Sequence, residues 1–343
     1  EAKSFERIWG GQKLRAHFGM NTPDGNVGEA WLVADHQVHE SVVADGPCAG
    51  MTLTQLVAMN PEAILGRVPK LTVHGRFPLM LKILDAREAL SVQVHPDDEA
   101  AKRLGEPDVG KTEMWYVLQA DPGSELICGL APDLRLSDLR KAAESGEIER
   151  FMSRHRVSGG EAMFVEAGSV HAIGAGLVLA EIQQNSDLTY RIYDWNRSDA
   201  EGRPRQLHLD KSLEAIHFGA PPPTPGSAKE YQSAEATVGV LAACPLFAAE
   251  RIQINGNLRR AIQGRSFHIL LAESGSVQVD ADDVHKNLSP RRAIMVCGKY
   301  EEFALSGSGS LLDYYVPSIQ AEIVEPLRRH GVSDDAISKV VFV

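Results

Sequence analysis

Alternation of apolar and polar residues, more than helical spacing, organises this chain. Ser91-Val92-Gln93-Val94-His95 alternates, so a strand there projects Gln93 and His95 from one face. Pro96 stops that strand, Asp97 and Asp98 can open a short helix, and Gly105 can close it. The chain returns through an aromatic and β-branched run, Glu113 to Leu118. Pro78 to Leu84 reads as a strand whose single charge, Lys82, lies among leucines, a methionine and an isoleucine. Ala162 to Val165 is a further strand, followed by a Gly-containing turn that delivers His171. Ile8-Trp9-Gly10-Gly11 reads as a loop, and the strand after it, Gly28 to Ala34, carries Trp31; Trp9 and Trp31 read as core aromatics.

Helical spacing is local. Leu53 to Leu65 predicts one helix capped by Thr52 or Thr54. Leu134 to Met152 predicts two short helices broken at Ser145-Gly146, with Ser137 as the first cap, and Leu207 to Ile216 predicts another helix. Pro221 to Ser227 is a stiff linker and the clearest boundary. Beyond it, Thr237–Ala243, Phe247–Ile254, Phe267–Leu271, Ser276–Val279, Ala293–Val296 and Leu311–Val316 predict evenly spaced short strands, as in a β-sandwich or jelly roll. The expected fold is mainly β, with two jelly-roll domains, 1–220 and 221–343, and a small helical insertion at about 134–152. No residue-level periodicity identifies the halves as repeats.

Composition narrows the function. At 343 residues and 43% hydrophobic content the chain can bury a core, and a net charge of −11 argues against nucleic acid or an anionic membrane as partner. Cys48, Cys128, Cys244 and Cys297 are scattered without CxxC spacing, so reduced thiols are expected. No window approaches about 18 continuous apolar residues and the first residues lack a secretory pattern, so a cytoplasmic protein is expected.

Gln93, His95 and His171, with one carboxylate, form a nitrogen and oxygen set that suits Zn²⁺ and would accept Mn²⁺, Fe²⁺ or Co²⁺. Two carboxylates compete. Glu99, four residues past His95, fits the general cupin spacing but lies in a surface-helix pattern; Glu113 opens an apolar strand, where a lone carboxylate needs a partner. Gly160, Gly168 and His171 match the second cupin signature, with Glu166 and Ala175 departing from it. Downstream, Asp187, Thr189 and Arg191 alternate, so one strand face would carry all three. In the last third, Ser274 to Val279 resembles a cupin hairpin, yet only His268 and His285 are on offer and no metal is expected there.

SVQVHPDDEA, GKTEMWYVL, AGSVHAIG and EIQQNSDLTYRIYDWNR, in that order, resemble the type I phosphomannose isomerases of the cupin superfamily, in their short bacterial form. The resemblance runs from about Phe5 to Phe218 and is most specific over Phe77 to Arg197. It implies two cupin-type domains and a metal held by Gln93, His95, Glu113 and His171, with Glu113 as the carboxylate. It also implies catalytic roles for Arg191, Lys111, Glu181 and Asp187, and places Ser91 and Lys82 near the substrate. The implied reaction is the interconversion of mannose 6-phosphate and fructose 6-phosphate through an enediol, on one Zn²⁺ per chain. Glu181, Lys111 and Asp187 all remain candidates for the base, a lysine beside a metal ligand being usable if its pKa is depressed. The partner is a small sugar phosphate, and the chain is expected as a monomer or weak homo-oligomer. The alternative is a non-catalytic, sugar-phosphate-binding regulatory cupin, against which the full polar set argues.

Overall fold

Strands form over most of the runs that alternation marks, and the exceptions have local causes. The computed structural model describes residues 2–131, 134–198 and 202–343. Two compact units emerge, one comprising 2–32 and 79–225, the other 33–78 and 226–343. The expected single crossing at about 220 did not foresee that 33–78 belongs with the second unit.

In the first unit, Leu79–Ala86 and Leu177–Gln184 are buried along their whole length. Both are central in a six-stranded sheet that also holds Lys3–Gly11, Val27–Val33, Glu113–Ala120 and Ala162–Val165. A five-stranded sheet, ordered Tyr190–Tyr193, Val92–Val94, His171–Ile173, Glu125–Leu130 and Met152–Arg156, packs against it. Leu84, Trp115, Val117 and Leu179 from one sheet meet Leu126, Cys128 and Ile173 from the other in a shared core. This is the two-layer arrangement of a jelly roll.

The outer face of the smaller sheet is covered by the helical insertion. Val92, Val94, Ile127 and Ala172 point outward and pack with Leu139, Ala142 and Ala143 of helix Leu136–Ser145. Gly146, left-handed at φ +73°, ends that helix where the sequence places the break. The second piece is a 3₁₀ turn, Ile148–Phe151, and Met152 already begins a strand. Ser137 is not the cap: Arg135 occupies that position without a side-chain bond, and Ser137 lies two residues inside, where its hydroxyl no longer reaches the free amides.

Other expectations change for local reasons. Ile8 to Gly11 is the end of strand Lys3–Gly11, not a loop, because Gly10 lets the strand run against its neighbour; a Cβ there would lie 2.5 Å from the Asn26 carbonyl oxygen. In the second unit, the single helix over Leu53 to Leu65 is two, Leu53–Met59 and Pro61–Leu65, since a residue before proline leaves the α region and Asn60 instead caps the second. Thr52 caps the first in a capping box with Gln55.

The seven-stranded sheet of the second unit is built on three strands of 14 residues, Ala248–Ala261, His268–Ala281 and Glu302–Tyr315. The Ser274 to Val279 hairpin does not exist; the strand runs through, with a register shift at Ala272/Ser274, and the turn comes at Asp282-Asp283. Gly275 pairs with Gly309 and Gly256 with Gly307, and Gly256, Gly275 and Gly307 all have positive φ. These glycines bend long strands in mid-course, so one sheet curls around its own core instead of breaking into short segments. Helical turns from Ile319 to Ile337 pack Ile323, Leu327 and Ile337 against Val240 and Ala248, elements the strand pattern did not predict.

Candidate metal and substrate site

Cross-strand register assembles the site. His171 is directly opposite Gln93, and Arg191 is opposite Gln93 on its other side. In the larger sheet Glu181 is paired with both Lys82 and Trp115, and Gln183 with Glu113. By alternation Lys82, Glu181 and Glu113 fall on the same face of this sheet as Leu84, Leu179 and Val117 of the inter-sheet core. That register puts Lys82, the lone charge in an apolar run, beside the carboxylate of Glu181.

His95, Glu113 and His171 are each exposed by 1% or less, and their ligand atoms lie within 4.8 Å of one another. His95 Nε2 is 3.5 Å from Glu113 Oε2, and His171 Nε2 is 3.5 Å from Glu113 Oε1. Each ring presents its other nitrogen to a backbone carbonyl, His95 Nδ1 to Leu188 O at 2.7 Å and His171 Nδ1 to Ser169 O at 2.9 Å. Nδ1 is therefore the protonated nitrogen, and both Nε2 lone pairs face the carboxylate. Burial lowers the pKa of both rings, that of His171 to about 4, so they stay neutral. Neither oxygen of Glu113 has a hydrogen-bond donor of good geometry, although Lys111 Nζ forms an ion pair with Oε2 at 2.8 Å. Two imidazole nitrogens and a carboxylate that converge this closely are a donor set suited to a divalent cation. Gln93 brings its amide 3.3 Å from His171 Nε2, so half a turn of that amide offers its oxygen as a fourth donor. Glu99 is exposed on helix Asp98–Arg103 and stays outside the cluster.

Lys111, Glu181, Lys82 and Asp187 line the approach. Lys111 Nζ lies 3.2 Å from His95 Nε2. Burial alone would lower the Lys111 pKa, but Glu113, Glu181 and Asp187 together raise it above the ordinary lysine range. A depressed pKa for Lys111 as a base is therefore not what its surroundings favour; the residue is held as an ammonium. Glu181 accepts a hydrogen bond from Trp115 Nε1 at 3.0 Å, and burial together with Glu113 raises its pKa despite Lys111 and Lys82. Lys82 Nζ lies 3.8 Å from Glu181 and 3.7 Å from Asp187. Ser91 is buried at the start of strand Val92–Val94, two residues before Gln93.

Arg191 stands on the Gln93 face but at the rim, where Nη1 donates to the Gln206 carbonyl at 2.8 Å and the buried Nε has no partner. Asp187 and Thr189 do not share its strand, which begins only at Tyr190. The chain from Asp187 to Thr189 is a loop because its backbone is engaged elsewhere: Asp187 N donates to Asp108, and Leu188 O meets His95. Gln183 holds this loop, donating to the carbonyls of Gln184 and Ser186.

Residues 2–119 match the family profile described as phosphomannose isomerase type I, catalytic domain. The mannose-6-phosphate isomerase of Streptococcus mutans is 38% identical over 259 residues, 76% of this chain and 79% of the relative. That of Bacillus subtilis, ManA, is 43% identical over 217 residues, 63% of this chain and 67% of the relative. The chain belongs to the type I phosphomannose isomerase family. The crystal structure of a mannose 6-phosphate isomerase from Bacillus subtilis superposes with a TM-score of 0.82 at 31% identity, covering 92% of this chain and 98% of that one. The fold is thus the cupin fold of these isomerases and the chain is an enzyme. Among the described residues no helix is long and apolar enough to cross a membrane.

Against this family's site, reading by motif missed the residues that support the charged ones. Trp115 binds Glu181, and Trp31 lies beneath Lys82 with its ring centroid 4.6 Å from Nζ. Asp194 gathers Arg197 and Arg205, at 2.5 and 2.6 Å, next to Arg191. The alternation of Glu29 with Trp31 was the available signal.

Proposed function

We propose that this chain interconverts mannose 6-phosphate and fructose 6-phosphate, with a divalent metal, Zn²⁺ by ligand type, held by His95, Glu113, His171 and Gln93. The observation that carries this reading is the buried triad of His95, Glu113 and His171, whose ligand atoms converge within 4.8 Å of one another beside a set of buried charges. Bound there, the metal supplies a Lewis acid for a sugar oxygen. The reaction removes the C2 proton of the aldose and delivers a proton to C1, while the hydroxyl proton moves from O2 to O1, by way of an enediol. Glu181 is the group suited to take the C2 proton, since its surroundings raise its proton affinity toward neutrality. Lys111, held as an ammonium, offers a proton to the developing oxyanion. Asp187, 44% exposed at the mouth, helps orient the sugar. Lys82, Ser91 and Arg191 supply donors for the phosphate, and Arg191 adds positive charge at the rim.

A coupled assay of mannose 6-phosphate conversion tests the assignment. Turnover that falls sharply in Arg191→Ala and Glu181→Gln supports it. Binding of the sugar phosphate without turnover, at any divalent metal, would instead make the chain a regulatory cupin.

A further inference from the structure

Lys82 is 3% exposed, yet neither neighbouring carboxylate comes within hydrogen-bond distance of its ammonium, the two separations being 3.7 and 3.8 Å. The ammonium also lies over an aromatic face, the ring of Trp31, with the centroid at 4.6 Å. Trp31 is fully buried and packed by Phe5, whose ring centroid is 4.7 Å away. What separates it from a simple core aromatic is its anchor. Nε1 donates to Glu29 Oε2 at 2.7 Å, and Glu29 Oε1 accepts from Arg7 Nε at 2.6 Å. Arg7, Glu29, Trp31 and Lys82 thus form one chain of contacts from the half-exposed Arg7 to the buried ammonium beside Glu181 and Asp187. Burial would raise the pKa of Glu29, but the charges of Lys82 and Arg7 outweigh it and keep the carboxylate ionised. An indole tethered through Nε1 to a fixed anion has its plane set. Its negative face then attracts the ammonium without using any of the three N–H donors.

We propose that Trp31, held in plane by Glu29 and Arg7, is a positioning residue that keeps the Lys82 ammonium aimed into the pocket with its donors free for the phosphate of the substrate. The inference rests on reading Lys82 as a substrate-binding cation. Without the aromatic face, Lys82 collapses onto Glu181 or Asp187, each less than 4 Å away. Its donors are then spent on protein carboxylates.

The test is a double-mutant cycle on KM and kcat for mannose 6-phosphate, using Trp31→Leu, Trp31→Phe, Glu29→Gln and Lys82→Met in the metal-loaded full chain. Trp31→Leu is expected to raise KM by about thirtyfold, the scale of a desolvated cation–π contact, with a smaller change in kcat. Trp31→Phe keeps an aromatic face and is expected to be milder, and Glu29→Gln intermediate. In the Lys82→Met background none of the three raises KM further. Equal increases with and without Lys82 would mean that Trp31 acts only by packing, and would overturn the proposal. Unchanged KM in the Trp31 and Glu29 variants, with Lys82→Met impaired, would also overturn it while leaving the substrate role of Lys82 intact. Unchanged KM in Lys82→Met would remove that role and the proposal with it. Should Trp31→Leu fail to fold, Trp31→Phe and Glu29→Gln complete the cycle.

Discussion

His268 in the seven-stranded sheet and His171 in the five-stranded one are almost equally buried, at 2% and 1% exposure, and each lies near carboxylates. Their surroundings differ in how many donors face how many acceptors. His268 Nδ1 meets both oxygens of Asp313, at 2.8 and 3.0 Å, and Arg260 meets Glu250 at 2.6 Å and Asp313 at 3.6 Å. Only Oε1 of Glu250 is left over among those two carboxylates. Around Glu113 the count reverses. Two imidazoles spend their protons on backbone carbonyls and turn lone pairs toward a carboxylate whose oxygens lack well-aligned donors. In the seven-stranded sheet the carboxylates are taken up by Arg260 and His268, whereas around Glu113 two imidazole lone pairs and a carboxylate converge with Lys111 as the one cation beside them, a donor set that a divalent metal would complete. Donor and acceptor balance, more than burial or residue type, separates the two histidines.

That comparison is open to attack from both sides. Glu113→Gln should cost the most: metal content and kcat should both fall by more than about a hundredfold, beyond what loss of an outer-shell partner does, with the fold kept by circular dichroism. Arg260→Leu strands Glu250 and Asp313, so urea unfolding should show a loss of about 3–5 kcal/mol while kcat of the folded fraction is unchanged. A kcat loss in Arg260→Leu matching that in Glu113→Gln would erase the distinction.

Acid should act on the first region. The folded pKa of His171 is lowered to about 4 from 6.5, so the unfolded chain binds more protons between those values and stability rises with pH there. In metal-stripped protein this histidine alone should remove about 3 kcal/mol as pH falls from 6.5 to 4. Unfolding curves across that window should be visibly flatter for His171→Gln. The smallest effect concerns Glu181. Trp115→Phe deletes a donor to its ionised form, so the acid limb of kcat/KM should move to higher pH, by up to about one unit; a downward move would contradict the role given to Glu181.

Much of the first unit was legible because alternation and ligand chemistry point the same way. Gln93 and His95 share a face by period, His171 follows a Gly turn, and a carboxylate such as Glu113 cannot open an apolar strand without a partner. Where pattern and packing part company, the sequence misleads. Asp187, Thr189 and Arg191 alternate in type, but the loop from Asp187 to Thr189 is fixed by bonds to Asp108 and His95, both distant in sequence. Gly275 looks like a turn and is a bend, a choice made by its partner Gly309 across the sheet. The segment 33–78 joins the second unit through contacts that no local pattern announces. Trp31 reads as core and is core, yet its ring also supports Lys82.

The most direct measurement is a titration of metal-stripped protein with Zn²⁺, following bound metal and mannose 6-phosphate turnover in the same samples. The account predicts that turnover rises in proportion to bound metal and levels off at one equivalent per chain, with Glu113→Gln flat throughout. Full turnover in protein shown to hold no metal, or a Glu113→Gln variant that titrates like the parent, would contradict it.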